Sequence, residues 1–182
     1  MKYLNLKIYT DFKIFFLSKL SVKNRNFYNF LRINKNLSKS QIYQDLFVIF
    51  FTKFKKKGTF IEIGVGNGVD LSNSFLLEKK FKWDGILCEP DQRLQRKIKT
   101  SRKSCLEILP IDHRCNKNVI FYENYDPYTS SIKKLNNFAS KRKVKSKCLN
   151  HLIEKKKTIK NIDYISIDTE GNEYEIIKDF NF

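Results

Sequence analysis

Twelve residues, Thr59-Phe-Ile-Glu-Ile-Gly-Val-Gly-Asn-Gly-Val-Asp70, constrain this chain more than any other stretch. Thr59–Ile63 is a short apolar run of strand length, and Gly64, Gly66 and Gly68 follow it at alternate positions. A strand that breaks into a glycine turn ahead of a helix opens a β-α-β unit. Lacking Cβ atoms, such a turn takes positive φ angles and lets a ligand approach the backbone. Its spacing departs from the G-x-G-x-x-G fingerprint that seats a dinucleotide pyrophosphate on a helix N-terminus. Glu62, at the strand end, would repel a pyrophosphate and suits a cationic ligand.

The flanking sequence repeats the alternation. A helix is predicted over about 73–81, a strand at Gly85–Cys88, a helix at Asp91–Lys103 and a strand at Leu106–Ile111. Val119–Tyr122 reads as half of a hairpin insertion, residues 123–147 are polar, lysine-rich and aperiodic, and Leu149–Lys156 is a candidate helix. Ile162–Ile167 reads as a further strand, followed by a helix capped by Asn172 with Glu175 three residues on. Upstream, Ser40 can cap a helix whose inward stripe is Ile42, Leu46, Phe47, Phe50 and Phe51, ended by Lys55-Lys56-Lys57 and Gly58. Strands alternating with helices predict an α/β fold with a parallel sheet and right-handed crossovers.

Glu89 ends the second strand, 21 residues after Gly68. An acid there can accept hydrogen bonds from both hydroxyls of a ribose, which supports an adenosine ligand without choosing between cofactors. S-adenosylmethionine, with its sulfonium and ammonium groups, also matches the acid at the end of the first strand.

Composition adds limits. The 182 residues suit one domain, and 41% hydrophobic content can bury a core. No apolar run approaches the ~18 residues of a membrane span. Asp11 and Lys13 interrupt what would be the apolar stretch of a signal peptide, so a cytoplasmic protein with reduced thiols is expected from Cys88, Cys105, Cys115 and Cys148. The net charge of +17 is uneven: residues 1–57 carry 13 Lys/Arg against Asp11 and Asp45. Nucleic acid or anionic lipid is the functional reading of this excess. The abundance of Lys, Asn, Ile and Phe also fits translation from an AT-rich genome. Within the lead-in, Ile8, Phe12, Phe15, Phe16 and Leu20 fall near helical spacing, as in an amphipathic helix that packs on the domain or touches a membrane surface.

A set of ordered motifs carries a family resemblance. Ser40-Gln41-x-x-Gln44-Asp45, Gly58-Thr-Phe-Ile-Glu62-Ile-Gly64, Asp70-Leu-Ser72-Asn73-Ser74, Leu77-Glu78, Trp83-x-Gly85, Glu89-Pro90 and Ile162-Asp163-Tyr-Ile-Ser-Ile-Asp168-Thr-Glu170-Gly171 occur in that order. Together they resemble the FkbM family of S-adenosylmethionine-dependent methyltransferases, over about residues 38–182. The resemblance implies a Rossmann-like class I methyltransferase sheet, mostly parallel and flanked by helices, acting mainly in O-methylation. Residues 1–38 would be a basic aromatic helical extension and 39–182 the methyltransferase domain. That fold continues past the helix after its acidic motif, whereas this sequence stops at Phe182, so a partial sheet lacking the C-terminal strands is expected, with weak activity and solubility.

S-adenosylmethionine contacts are expected from Glu62, Gly64, Gly66, Gly68, Asn73, Glu89 and Asp112: the resemblance matches the glycine turn and Glu89 to the family's cofactor site, and Asp112, at a predicted strand end, could face the adenine amino group. Asp168 and Glu170 are candidates for substrate contact or general base, because a hydroxyl nucleophile benefits from a nearby proton acceptor; Glu170 could equally serve the dipole of the next helix. The resemblance implies a sugar, polysaccharide or small metabolite as the acceptor. Rival readings are a non-catalytic S-adenosylmethionine-binding fragment and a nucleic-acid methyltransferase, and against the latter no Asn/Asp-Pro-Pro-Tyr/Phe motif occurs. His113-x-Cys115 and Cys148-x-x-His151 match no zinc template, and no metal is expected.

Overall fold

The apolar run Thr59–Ile63 forms β1, the strand around which the domain is built. In a computed structural model, residues 25–134, 136–155, 161–178 and 180 are described. On one side β1 pairs in parallel with β2 (Asp84–Cys88), which pairs with β3 (Cys105–Glu107). On its other side lies β6 (Tyr164–Ile167), giving the all-parallel order β3-β2-β1-β6. The expected α/β, Rossmann-like arrangement is observed.

Strand alternation divides the core in two. Phe60 and Leu87 face one layer with Leu76, Leu77, Trp83 and Ile98, from α3 (Phe75–Phe81), the loop after it and α4 (Gln92–Ser101). Ile61, Ile63, Ile86 and Cys88 face the other, with Ile111, Leu149 and Leu152 of α5 (Leu149–Lys155) and Ile176 of α6 (Glu173–Ile177). Cover on both faces explains why β1 carries apolar residues of both parities, Phe60 on one side and Ile61 and Ile63 on the other. Glu62 shares the parity of Phe60 and therefore points into the α3–α4 layer.

Ahead of the sheet, α1 (Arg25–Asn34) packs through Phe27, Phe30 and Leu31 against α2 (Gln44–Phe51). The expected stripe on α2 is corrected: Leu46, Val48 and Ile49 are buried, while Ile42, Phe47 and Phe51 are exposed. Tyr43 in the left-handed region starts the helix and shifts its phase. Ser40 does accept the Asp45 amide (3.0 Å), and the buried Asp45 carboxylate binds Ser38 Oγ and the Lys39 and Leu46 amides. The helix ends at Phe51 rather than at the lysine run, because Lys53 and Phe54 take positive φ. The lead-in stripe from Ile8 to Leu20 lies outside the described residues. No described helix is long and apolar enough to cross a membrane.

Between β3 and α5 sits a hairpin insertion, β4 (Asn118–Glu123) antiparallel to β5 (Ser140–Lys145). Its neck corrects the expectation of four reduced thiols: Cys115 and Cys148 are disulfide-bonded, while Cys88 and Cys105 are free. The hairpin causes this meeting, since Asn116 donates to the Ser146 carbonyl and Lys147 to that of Pro110. Residues 33 apart in sequence thus become neighbours without any short-range Cys spacing. A second correction concerns α6. Asn172 makes no side-chain cap bond, and Glu173 Oε1 instead accepts the Thr169 and Gly171 amides at 2.8 and 3.0 Å. Glu175 turns outward to Lys178.

Candidate functional site

The carboxyl ends of β1, β2 and β6 open into one crevice of about 1070 Å³, its open mouth included. Crevices outside the strand ends are where parallel α/β sheets hold ligands. The glycine turn makes its floor. Gly64 has φ +78° and passes so close to β6 that a Cβ there would lie 1.7 Å from the Asp168 carbonyl oxygen. Gly66, at φ +59°, lies beneath the Tyr128 ring, 2.7 Å from where its Cβ would be. Gly68 faces the other way, onto Ile98 and Arg102.

Glu89 stands at the end of β2 and lines the crevice. Its Oε2 accepts the Gly66 amide (3.0 Å) and its Oε1 the Asp91 amide (2.9 Å). Burial outweighs these bonds and raises its pKa to about 8. The carboxyl therefore waits largely protonated at neutral pH. Asn73 also lines the crevice: its Nδ2 donates to Ser166 Oγ, but its Oδ1 is buried with no hydrogen-bond partner. Asn73 Oδ1 asks for a donor from outside the chain, and Glu89, once ionised, can accept further donors on its remaining lone pairs.

Glu62 behaves differently although it sits one strand away. Its carboxylate accepts Ser72 Oγ (2.9 Å), the Asn73 amide (2.6 Å) and Ser74 Oγ, with Arg102 Nη1 at 3.9 Å. Arg102 is wholly buried and also reaches Glu78, the Gly68 carbonyl, Ser72 and Ser74. Burial pushes Glu62 upward, whereas Ser104 and Arg102 outweigh burial at Glu78 and hold it below the usual range. This network braces the segment carrying Asn73 from beneath. Glu62 and Gly68 are not among the crevice walls, and neither is Asp112, whose carboxylate turns to Arg114 Nε (2.8 Å) and the His113 amide (2.8 Å).

Asp168 and Glu170 face the crevice from the loop after β6. Burial and Glu173 raise the pKa of Asp168; burial, then Asp168, Glu173 and Asp126, raise that of Glu170. Glu170 itself takes φ +60°, ahead of Gly171.

The sequence did not single out the strap between β4 and β5 that roofs the crevice. Ser130 Oγ donates to the buried Asp91 carboxylate (2.8 Å), which Arg93 also grips, at the β2 rim. Ser131 Oγ donates to the Thr169 carbonyl (3.0 Å) at the β6 rim. Tyr128 lies between them over Gly66. Gln41 and Gln44 close one end; their place in the Ser40–Asp45 motif was the available signal.

A parallel sheet with this glycine turn, an acid at the second strand end and a crevice across three strand ends defines a Rossmann-like enzyme class. The chain belongs to the FkbM methyltransferase family: the Methyltransferase FkbM domain matches residues 62–182, from within β1 to the last residue. No curated protein and no solved structure matches the chain.

Proposed function

We propose that this methyltransferase uses S-adenosylmethionine to methylate a hydroxyl group of a sugar, polysaccharide or small metabolite. The observation that carries the reading is the pairing of Glu89 with Asn73 Oδ1 on one crevice, one a desolvated carboxyl and the other an acceptor lacking a donor. Ribose hydroxyls and an ammonium group are donors of the required kinds. The residues present therefore fit the cofactor. Glu89 would take the ribose hydroxyls on its remaining lone pairs, and Asn73 Oδ1 the ammonium. Gly64 and Gly66 keep the floor free of side chains.

When bound, S-adenosylmethionine supplies an electrophilic methyl group on sulfur. The chain's own contribution is to position the acceptor, exclude water and take the hydroxyl proton. Asp168 and Glu170 flank the crevice, and their raised pKa values make them better proton acceptors than ordinary carboxylates, provided they are ionised. The strap supplies the water-excluding wall.

Calorimetry of the full chain with S-adenosylmethionine, S-adenosylhomocysteine and NAD tests the cofactor, and radiolabelled methyl transfer to a panel of hydroxylated acceptors tests the reaction. Binding of both sulfur ligands with no NAD binding is expected. Tighter binding of NAD would overturn the assignment. Asp168→Asn or Glu170→Gln should lower turnover by about 10²–10⁴-fold if that residue takes the proton, and unchanged turnover in both removes the proposed base.

A further inference from the structure

We propose that the face built by α1 and α2 docks on anionic lipid surfaces. Six phenylalanines meet there: Phe27 touches Phe47, Phe50 and Phe51, and Phe30 touches Phe50 and Phe54. Yet Phe47, Phe51 and Phe54 each remain more than half exposed, at 51%, 56% and 51%. Ile33, Leu37 and Ile42 are exposed on the same two helices and the turn between them. Apolar surface of this extent on a globular chain marks an interaction site.

Charge identifies the occupant. Residues 25–58 hold eight Lys/Arg and a single acid, Asp45. Asp45 is wholly buried and bonded within its own turn. Lys53, Lys56 and Lys57 are exposed and alternate with or follow the outermost phenylalanines. Asp163, which reaches this end of the domain, is engaged by Lys55 Nζ (2.6 Å). A second copy of the chain would bring the same cations face to face. Residues 1–24, with five lysines and Asp11, would do likewise. An anionic partner meets no such repulsion, and its attraction is screened by salt.

Phenylalanine beside lysine is the side-chain chemistry of interfacial membrane binding: rings enter the headgroup boundary while ammonium groups hold anionic lipid. Single-stranded nucleic acid needs rings splayed as stacking platforms. Here the rings pack on one another tilted or edge-on, Phe47 against Phe51 at 4.4 Å between centroids and Phe27 edge-on to Phe47, and exposed aliphatic side chains lie on the same elements. Lipid fits better. Gln41 and Gln44, just before and at the start of α2, line the crevice, while Phe51 ends that helix. An eight-residue helix is about 12 Å long, so docking would bring the crevice close to the lipid surface.

The test is co-sedimentation of the full chain with vesicles of phosphatidylcholine alone or with phosphatidylglycerol, at low and high salt. Expected is binding to the anionic vesicles that weakens with salt and is at least tenfold poorer for Lys53→Glu/Lys56→Glu, since each basic residue contributes about fivefold near such a surface. Phe51→Ser/Phe54→Ser should also weaken binding by about tenfold or more, by loss of apolar burial. Both variants change exposed residues, and unchanged thermal melts confirm that the fold is kept. Failure of the parent chain to bind, or binding unaffected by both variants, overturns the proposal. Tighter, variant-sensitive binding to a single-stranded oligonucleotide reassigns the face to nucleic acid, and variant-sensitive dimerisation without lipid binding reassigns it to a second copy.

Discussion

Glu62 and Glu89 lie near the ends of neighbouring parallel strands, and both are almost completely buried. Their surroundings give them opposite work. Glu62 has two serine hydroxyls, a backbone amide and a nearby guanidinium, all supplied by the chain. Glu89 has two backbone amides and no cation; burial raises the pKa of both carboxyls, that of Glu89 to about 8. A saturated carboxylate is a strut, whereas one left short of donors is disposed toward a ligand. The underside of the glycine turn is thus finished without help from outside, and the crevice side is not.

The largest expected effect lies on the finished side. Arg102→Met leaves Glu62 and Glu78 buried without their shared cation, and breaking a buried ion pair on one side typically costs about 3–5 kcal/mol. Urea denaturation should show this loss directly. A variant as stable as the parent would mean that the network is not a brace.

On the crevice side stability and binding should move apart. Glu89→Gln removes a charge-assisted acceptor and should weaken S-adenosylmethionine binding by about 10- to 150-fold, equivalent to about 1.5–3 kcal/mol. Its side-chain NH2 must face one of the two backbone amides that donate to the carboxyl, so some stability is lost at every pH, and the pH dependence of stability is the clean readout. The sign follows from the raised pKa: between the ordinary value of 4.5 and about 8 the unfolded chain has lost a proton that the folded chain keeps. Stability therefore falls with rising pH across that window, by up to about 1.4 kcal/mol per unit. Denaturation midpoints at pH 5 and pH 8 should converge in Glu89→Gln. Cofactor affinity of the parent should rise over the same window if the ionised carboxylate is the binding form. A pH-independent affinity would break the contrast drawn between the two glutamates.

Much of the finished side was open to a reading of the sequence, and much of its purpose was not. The short β1, the glycine turn and the acid closing β2 stood out because each follows a local rule of spacing. The direction of Glu62 needed only strand parity, since it alternates with Ile61 and Ile63 and shares the side of Phe60. Arg102 gave no local signal; in so lysine-rich a chain it resembles a surface cation, and only tertiary contacts reveal its burial. β5 was hidden for a related reason. Lys141, Lys143 and Lys145 occupy its exposed face, and Val144 is its only aliphatic residue. The strap between β4 and β5 has no period because its bonds run to the strand-end rims, and the disulfide below it joins residues that only the hairpin makes neighbours.

The strap supplies the next prediction, at its neck. Cys115→Ser frees a loop closed across 33 residues, and removing such a link should cost about 2–4 kcal/mol in the chain-entropy account. If the unfolded chain already keeps the two ends of the hairpin close, the loss will fall well below that range. Comparing the oxidised parent, the dithiothreitol-reduced parent and Cys115→Ser by thermal melts separates the two cases. Equal loss in the latter two assigns the effect to the bond rather than to the serine.

The smallest expected effect is at the strap's far end. Ser131 is buried; its hydroxyl donates to the Thr169 carbonyl and accepts the Lys133 amide at 3.1 Å. Ser131→Ala removes both bonds, and a buried neutral hydrogen bond is worth about 1 kcal/mol. The hydroxyl holds the strap against the loop that carries Asp168 and Glu170 and makes no bond to the Gly66 and Asp91 amides that hold Glu89. Loosening it should therefore raise KM for the acceptor or lower turnover by less than about tenfold, in keeping with that bond energy. Calorimetric affinity for S-adenosylmethionine should stay within about twofold of the parent, because no bond to Glu89 or Asn73 is lost. A drop in cofactor affinity as large as that of Glu89→Gln would show that the strap holds the cofactor side, and the division of labour between the two rims of the crevice would have to be redrawn.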